Sequence, residues 1–266
     1  MNIEKLTKIP PVSLGYVEDP GRPILPYSLD LKNMTCHSEH RHPRGQLIYA
    51  GKGVMRVVCG SMIWMVPPTQ AIWAPPMSPH IADFPGKVSL RNIFIDASAV
   101  KDLPEKCEAL EVSPLLREMI LKCCEYGCEY KKGSPAWRLA LALIDELRMA
   151  RSAKFSLPLG SDSRLRRVQD LMLEAPSALA SLEKLSALSG AGTRTLARLF
   201  EKETGLGFGA WRRRLLMMEA MKRLGAGANV SETAYELGYS SASAFIAMFR
   251  RECGISPGRM LGRRDS

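Results

Sequence analysis

The sequence predicts a multidomain α+β chain: an N-terminal β-barrel followed by helices, then an all-α C-terminal domain carrying two helix-turn-helix units. Three observations carry this reading. Short β-branched and aromatic runs separated by Gly and Pro turns fill residues 12–95, helical periodicity takes over after residue 113, and one helix-turn-helix pattern occurs twice within residues 181–261. A chain of 266 residues has room for two such domains, each with its own core.

The N-terminal runs are Gln46 to Ala50, Val54 to Val58, Met62 to Val66, Ala71 to Ala74 and Val88 to Ile95. Between them stand Gly51-Lys52-Gly53, Cys59-Gly60-Ser61, Pro67-Pro68-Thr69 and Phe84-Pro85-Gly86, the turn chemistry of a sandwich or barrel. All four His of the chain lie in this segment, at His37, His40, His42 and His80. In a regular strand His40, His42 and Gln46 share one face, because side chains alternate. His80 follows the Pro-rich run Pro75-Pro76-Met77-Ser78-Pro79 and opens another strand. Arg44, Tyr49, Trp64 and Trp73 are candidate lining for an effector pocket in the barrel mouth, although core packing is favoured for both Trp and Arg44 either pairs with an acidic effector or sits on the surface.

Helical periodicity then spans Pro114 to Tyr130 and Ser134 to Arg151. Leu115, Leu116, Met119, Ile120 and Cys123 form one apolar stripe, and Leu139, Leu143, Ile144 and Leu147 the other. Such stripes bury against the barrel or form a dimer seam. Lys154 to Ser161 contains Pro, Gly and Ser and marks a boundary near residues 151–163.

In the second helix-turn-helix copy, Ala234 lets two short helices cross closely and Gly238 supplies the positive φ of the turn. Phe245 and Phe249 then form the buried stripe of the next helix. The first copy repeats this with Ser186 and Gly190, and with Leu196, Leu199 and Phe200. Arg residues on both second helices and the charge balance agree with a nucleic-acid partner. Residues 1–160 hold 20 basic against 16 acidic side chains, and the shorter remainder holds 17 against 11. Seven Cys without metal-finger spacing read as free thiols, with Cys123, Cys124 and Cys128 a conceivable redox cluster. No apolar run reaches membrane-spanning length and the first residues lack a secretory apolar core, so the expected location is the cytoplasm.

Residues 162–264 resemble the DNA-binding domain of the AraC/XylS family of bacterial transcription regulators. The resemblance rests on Leu199-Phe200-Glu201-Lys202-Glu203-Thr204-Gly205, on Gly238 to Phe245, and on Phe249-Arg250-Arg251-Glu252-Cys253-Gly254-Ile255-Ser256-Pro257. It implies seven helices, with a connector over Phe208 to Leu224 whose Trp211, Leu215, Met218 and Met221 face inward. It also implies that the second helix of each unit enters a major groove. Arg194, Arg198, Ser243 and Ala247 are then the base-reading candidates, and Lys202, Arg250 and Arg251 the phosphate contacts. Arg212-Arg213-Arg214 on the connector reads as a solvated face, with phosphate contact as the alternative.

The His40-Arg41-His42 motif with Gln46, and the later run ending in His80, resemble the two motifs of the cupin barrel that commonly precedes such a domain. Metal-binding cupins hold three His and a Glu at the resembling positions. Gln46 stands here in place of the Glu, leaving either a divalent transition metal on His40, His42, His80 and Gln46, or no metal.

The expected organisation is a ligand-sensing barrel at 1–100, a helical and dimerising segment at 101–155, and the DNA-binding domain at 162–264. The expected protein is a non-enzymatic, sequence-specific regulator controlled by a small molecule or metal in the barrel. Its expected partners are double-stranded DNA, an effector, RNA polymerase and a second copy of the chain. The alternatives are a metal-dependent cupin enzyme carrying a DNA-binding domain and a nonspecific architectural DNA-binding protein.

Overall fold

The computed structural model describes residues 7–33, 35–176 and 181–261. The outer ends of the expected ranges, at residues 1 and 264, lie outside them. The N-terminal strands are β1 (Thr7–Ile9), β2 (Ile24–Leu31), β3 (Thr35–His37), β4 (Gly45–Lys52), β5 (Met55–Cys59), β6 (Met62–Val66), β7 (Gln70–Ala74), β8 (His80–Phe84), β9 (Val88–Ile95) and β10 (Glu108–Glu111). With β11 (Leu157–Pro158) they form two sheets, ordered β1-β3-β8-β5-β6-β11 and β10-β7-β4-β9-β2. Apart from the parallel β1–β3 pair, neighbouring strands are antiparallel.

The two sheets enclose a core of Ile48, Met55, Val57, Trp64, Val66, Ile72, Phe84 and Leu90. Their outer faces are covered as well, which is why Met62 to Val66 and Gln70 to Ala74 read as near-continuous apolar runs instead of alternating ones. On the five-stranded sheet, Leu47, Tyr49, Trp73, Ile93 and Ile95 pack against helices α1 (Pro114–Tyr126) and α2 (Pro135–Arg148). The stripes of these helices thus bury largely on the barrel. Leu115, expected in the first stripe, is 59% exposed, lying one position off the buried Leu116, Ile120 and Cys123. Ser113 and Ser134 cap the two helices through their hydroxyls, and Gly127, at φ 70°, ends α1 before the expected Tyr130.

The barrel extends past residue 100, because β10 pairs with β7 and completes the five-stranded sheet. The expected linker is stitched to it. Ala153 N donates to Ala109 O and Glu111 N to Arg151 O, and β11 pairs with β6. The expectation of free thiols fails at two positions, since a disulfide joins Cys59 at the end of β5 to Cys107 ahead of β10. Cys123 remains a thiol, but burial pushes its pKa up to about 12, so it lacks the thiolate that redox sensing needs.

Among the described residues seven helices follow: α3 (Ser163–Glu174), α4 (Leu182–Ser189), α5 (Thr193–Thr204), α6 (Phe208–Gly225), α7 (Val230–Glu236), α8 (Ala242–Cys253) and α9 (Pro257–Met260). The core of this domain includes Leu165, Leu185, Leu196, Phe200, Trp211, Leu215, Met218, Met221, Phe245 and Phe249. It is continuous with Val54, Ile63, Met65, Phe155, Leu157 and Leu159 of the barrel and linker. The approach is close: a β-carbon on Gly225 would sit 2.5 Å from Val54 Cγ2. Among the described residues no helix is long and apolar enough to cross a membrane.

Candidate DNA interface and barrel imidazole site

Both helix-turn-helix units form where the sequence repeats. In the first, Ser181 caps α4 by accepting from Lys184 N, and Gly190 ends it in the left-handed region at φ 73°. Helix α5 then starts from Gly192, which has no side chain to cap it. In the second, Asn229 caps α7, Gly238 turns the chain at φ 84°, and Ser241 caps α8 by accepting from Ala244 N. Ala234 is fully buried at the crossing of α7 and α8, while the corresponding Ser186 donates its hydroxyl to Ala191 O. Leu196, Leu199 and Phe200 anchor α5, and Phe245 and Phe249 anchor α8.

With those faces inward, Arg194 and Arg198 on α5 and Ser243 and Ala247 on α8 are all exposed. Lys202, Arg250 and Arg251 are exposed too, at the C-terminal ends of the same two helices. Two residues of the Arg run on α6 have partners within the fold. Arg214 donates to Ser156 O of the linker at 2.9 Å, and Arg213 reaches Glu252 of α8 at 3.3 Å. Trp211 Nε1 donates to Pro158 O at 2.7 Å. The bonds of Trp211 and Arg214 tie the connector helix to the segment that leads from the barrel.

In the barrel, residues 40–44 are not a regular strand, apart from a bridge between His40 and His80. Even so, His40, His42 and His80 converge, and their ring nitrogens lie within 4.8 Å of one another. Each ring presents Nδ1 to a backbone carbonyl: His40 to Ser38 O at 2.8 Å, His42 to Arg44 O at 2.7 Å and His80 to Ser78 O at 2.9 Å. A carbonyl only accepts, so Nδ1 carries the proton and Nε2 of a neutral ring keeps its lone pair. The Gln46 oxygen lies 3.0 Å from His42 Nε2 and 3.1 Å from His80 Nε2.

Burial pulls the pKa of His80 down to about 3 and lowers those of His40 and His37, so these rings stay neutral at neutral pH. Backbone carbonyls orienting Nδ1–H are the usual support of metal-ligating His, and three imidazoles with an amide oxygen suit a borderline divalent ion. The donor set therefore fits a transition metal. Gly15 closes the site from the N-terminal side, since a β-carbon there would meet His42 Cγ at 2.6 Å.

Sequence reasoning left out His37. Its ring is buried, lies 5.8 Å from that of His40 and lines the same cavity. Four imidazoles confined to one segment were the available signal, but the bend between His37 and His40 hides their convergence from strand parity. The cavity bounded by His37, His40, Gln46, His80, Phe84 and Phe94 has a volume of about 10 Å³, the space of a single water.

The four expected effector contacts do not gather around it. Arg44 is buried as a staple for the loop ahead of β2, donating to Val17 O, Asp19 O and Arg22 O and facing Asp96 at 3.3 Å. Tyr49 donates its hydroxyl to Pro68 O and Trp73 its Nε1 to Pro104 O, both within the core beneath α1 and α2. Trp64 belongs to the core between the sheets. A larger cleft of about 290 Å³ lies outside the barrel, between Arg56, Met65 and Pro85 on one side and Leu173, Met218 and Lys222 on the other.

Comparison with known proteins assigns the chain. A family model described as the AraC-like ligand binding domain matches residues 26–200. A model described as a helix-turn-helix domain matches residues 185–263. The HTH-type transcriptional regulator NimR of Escherichia coli (strain K12) is 35% identical over 224 residues, covering 84% of this chain and 82% of that protein. The chain belongs to the AraC family.

It is thus an AraC-type transcriptional regulator, with a ligand-binding domain and a helix-turn-helix DNA-binding domain. The HTH-type transcriptional regulator RipA of Corynebacterium glutamicum is 31% identical over 100 residues, 38% of this AraC-family chain and 30% of that protein. Among solved structures, ToxT from Vibrio cholerae aligns with a TM-score of 0.38 at 9% identity, covering 90% of this chain and 98% of that one.

Proposed function

We propose that this AraC-family regulator reads its operator with α5 and α8, and that the ligand of its barrel is a divalent transition ion held by His40, His42, His80 and Gln46. One observation carries the second half. Three imidazoles, each with Nδ1–H held by a backbone carbonyl, bring one ligand nitrogen apiece to within 4.8 Å of one another.

Arg194 and Arg198 can each grip guanine O6 and N7 with two hydrogen bonds, whereas Ser243 and Ala247 offer one hydroxyl and one methyl. The first unit therefore carries most of the base selectivity. Lys202, Arg250 and Arg251 contact phosphates and set position on the duplex.

For control, the ion must favour one arrangement of barrel and DNA-binding domain over another. The inner face of the six-stranded sheet holds His80, and its outer face holds Ile63 and Met65 against the DNA-binding core, so one sheet joins the two sites. The functional units are the barrel with β10 and β11, the α1–α2 layer, and the helical domain from α3 onward. The exposed Leu115 on α1 and Leu141 on α2 offer an apolar face for a second copy of the chain.

Elemental analysis of the purified full chain tests the ion. About one ion per chain, lost when His40, His42 and His80 are all replaced by Ala, is the expected result. Absence of bound metal after Zn²⁺, Co²⁺, Ni²⁺ and Mn²⁺ have each been supplied would defeat it. Operator binding with and without the ion tests the control.

A further inference from the structure

Gln46 occupies an unusual position, with its side-chain tip between two ring nitrogens that are both acceptors. As neutral rings His42 and His80 donate through Nδ1 to Arg44 O and Ser78 O, which leaves no proton at Nε2 of either. An amide oxygen 3.0 and 3.1 Å from two lone pairs receives nothing from them. That orientation suits a cation lying among the rings. Turned over about its last torsion, the same amide places an NH2 group there, and its two N–H bonds match the two lone pairs, one for each ring. Both orientations occupy nearly the same volume, and the last torsion of Gln is broad and roughly two-fold.

We infer that Gln46 is a two-way residue of the barrel site. It donates N–H to His42 and His80 when no ion is bound, and turns its oxygen to the ion when one enters. This rests on the metal reading above and adds how the ion is held and released. A carboxylate at this position could only accept, so it would leave the two lone pairs opposed by negative charge whenever the ion was absent. The neutral amide keeps the ion-free pocket satisfied and contributes no charge to offset a divalent ion. Both effects lower affinity and ease release, which suits a sensor that must exchange its ion. The residue that departs from the three-His-and-Glu pattern thus sets the working range of the site.

The test uses the full chain with Co²⁺ alone, followed by visible absorption, and compares the natural protein with Gln46→Glu and Gln46→Leu. Gln46→Glu is expected to bind Co²⁺ about tenfold more tightly or better, and to release it to a chelator correspondingly more slowly. Gln46→Leu keeps the three imidazoles but should bind about fivefold more weakly, and it decides the matter if the Glu variant does not fold. In ¹⁵N-labelled protein the Gln46 side-chain amide protons, assigned by their absence from Gln46→Leu, should be protected from exchange without metal and lose that protection when Zn²⁺ is added.

Natural protein that binds Co²⁺ with an affinity unchanged in Gln46→Leu, or an amide signal indifferent to Zn²⁺, would overturn the inference and leave the metal site standing. Failure of both the natural protein and Gln46→Glu to bind Co²⁺ would overturn the metal reading, and this inference with it.

Discussion

The two helix-turn-helix units share a skeleton and differ at the tips. Each has a short first helix, a glycine in the left-handed region and a second helix of 12 residues held by aromatic anchors. Yet α5 exposes Arg194 and Arg198 where α8 exposes Ser243 and Ala247, and α8 has a Ser cap where α5 has only Gly192. The difference separates two requirements that a single unit would confound. Packing needs a large apolar anchor at corresponding positions of both copies, such as Leu196 and Phe200 against Phe245 and Phe249, whereas base reading leaves the outward positions free to diverge.

The largest effects should be equal in the two units. Phe200→Ala and Phe249→Ala, at the same position of α5 and α8, each remove a fully buried ring and should cost about 3–5 kcal/mol. Urea denaturation of the full chain measures both, and a twofold disparity would mean that the skeletons are not equivalent. Next come the tips. Arg198→Ala should lose about 1–3 kcal/mol of discrimination at one base position, roughly 5- to 150-fold, while Ala247→Gly should barely change base preference. Operators varied one base at a time give both numbers, and a stronger loss from Ala247→Gly would reverse the assignment of selectivity to the first unit.

Caps should matter less. Ser241→Ala should destabilise by about 1 kcal/mol, while Gly192→Ser should gain only a few tenths, because a Gly cap is already tolerable and a β-carbon there meets open space. Thermal melts of the two variants would show opposite signs. Lys202→Ala should weaken all operators alike and reduce the slope of log affinity against log salt by about 1, as a lost phosphate contact does.

The smallest effect belongs to Asp162, the cap of α3, whose pKa is held down at about 2 first by its hydrogen bond from the Arg164 side chain. A depressed carboxyl pKa stabilises above the unfolded value of 3.8 and ceases to do so as pH falls through about 2. Carboxyl NMR titration of Asp162 in the natural protein and in Arg164→Ala should show the midpoint rising in the variant.

Most of the helical half was legible because its signals are local. Gly238, Ser241 and the Phe245–Phe249 pair define a turn, a cap and a buried face within twelve residues. The connector was readable from Trp211, Leu215, Met218 and Met221 at helical spacing. The barrel was half legible. Residues 62–66 and 88–95 are strands as expected, but β2, β3 and β10 carry weaker patterns and acquire their shape from pairing with distant partners.

The imidazole cluster was readable in its members but not in its geometry. Convergence of His40, His42 and His80 depends on a loop and a cross-strand bridge instead of on strand parity. Arg44 and Tyr49 misled, while Trp64 and Trp73 took the core packing also open to them, because large polar-tipped side chains suit a pocket and a core equally well. Which one they occupy is decided by whether a carbonyl such as Pro68 O or Pro104 O waits inside.

The continuous core between the six-stranded sheet and α6 bears on how such proteins can be recombined. Exchanging the DNA-reading half for that of another family member would strip Val54, Ile63 and Met65 of their neighbours, unless the incoming connector helix matched them and kept a glycine at the position of Gly225. A chimaera joined only at the linker would expose that oily patch, while one that also transplanted the facing residues of the sheet would keep it covered. The boundary at which evolution or an engineer can cut this chain therefore follows a surface through the fold, not a point along the sequence.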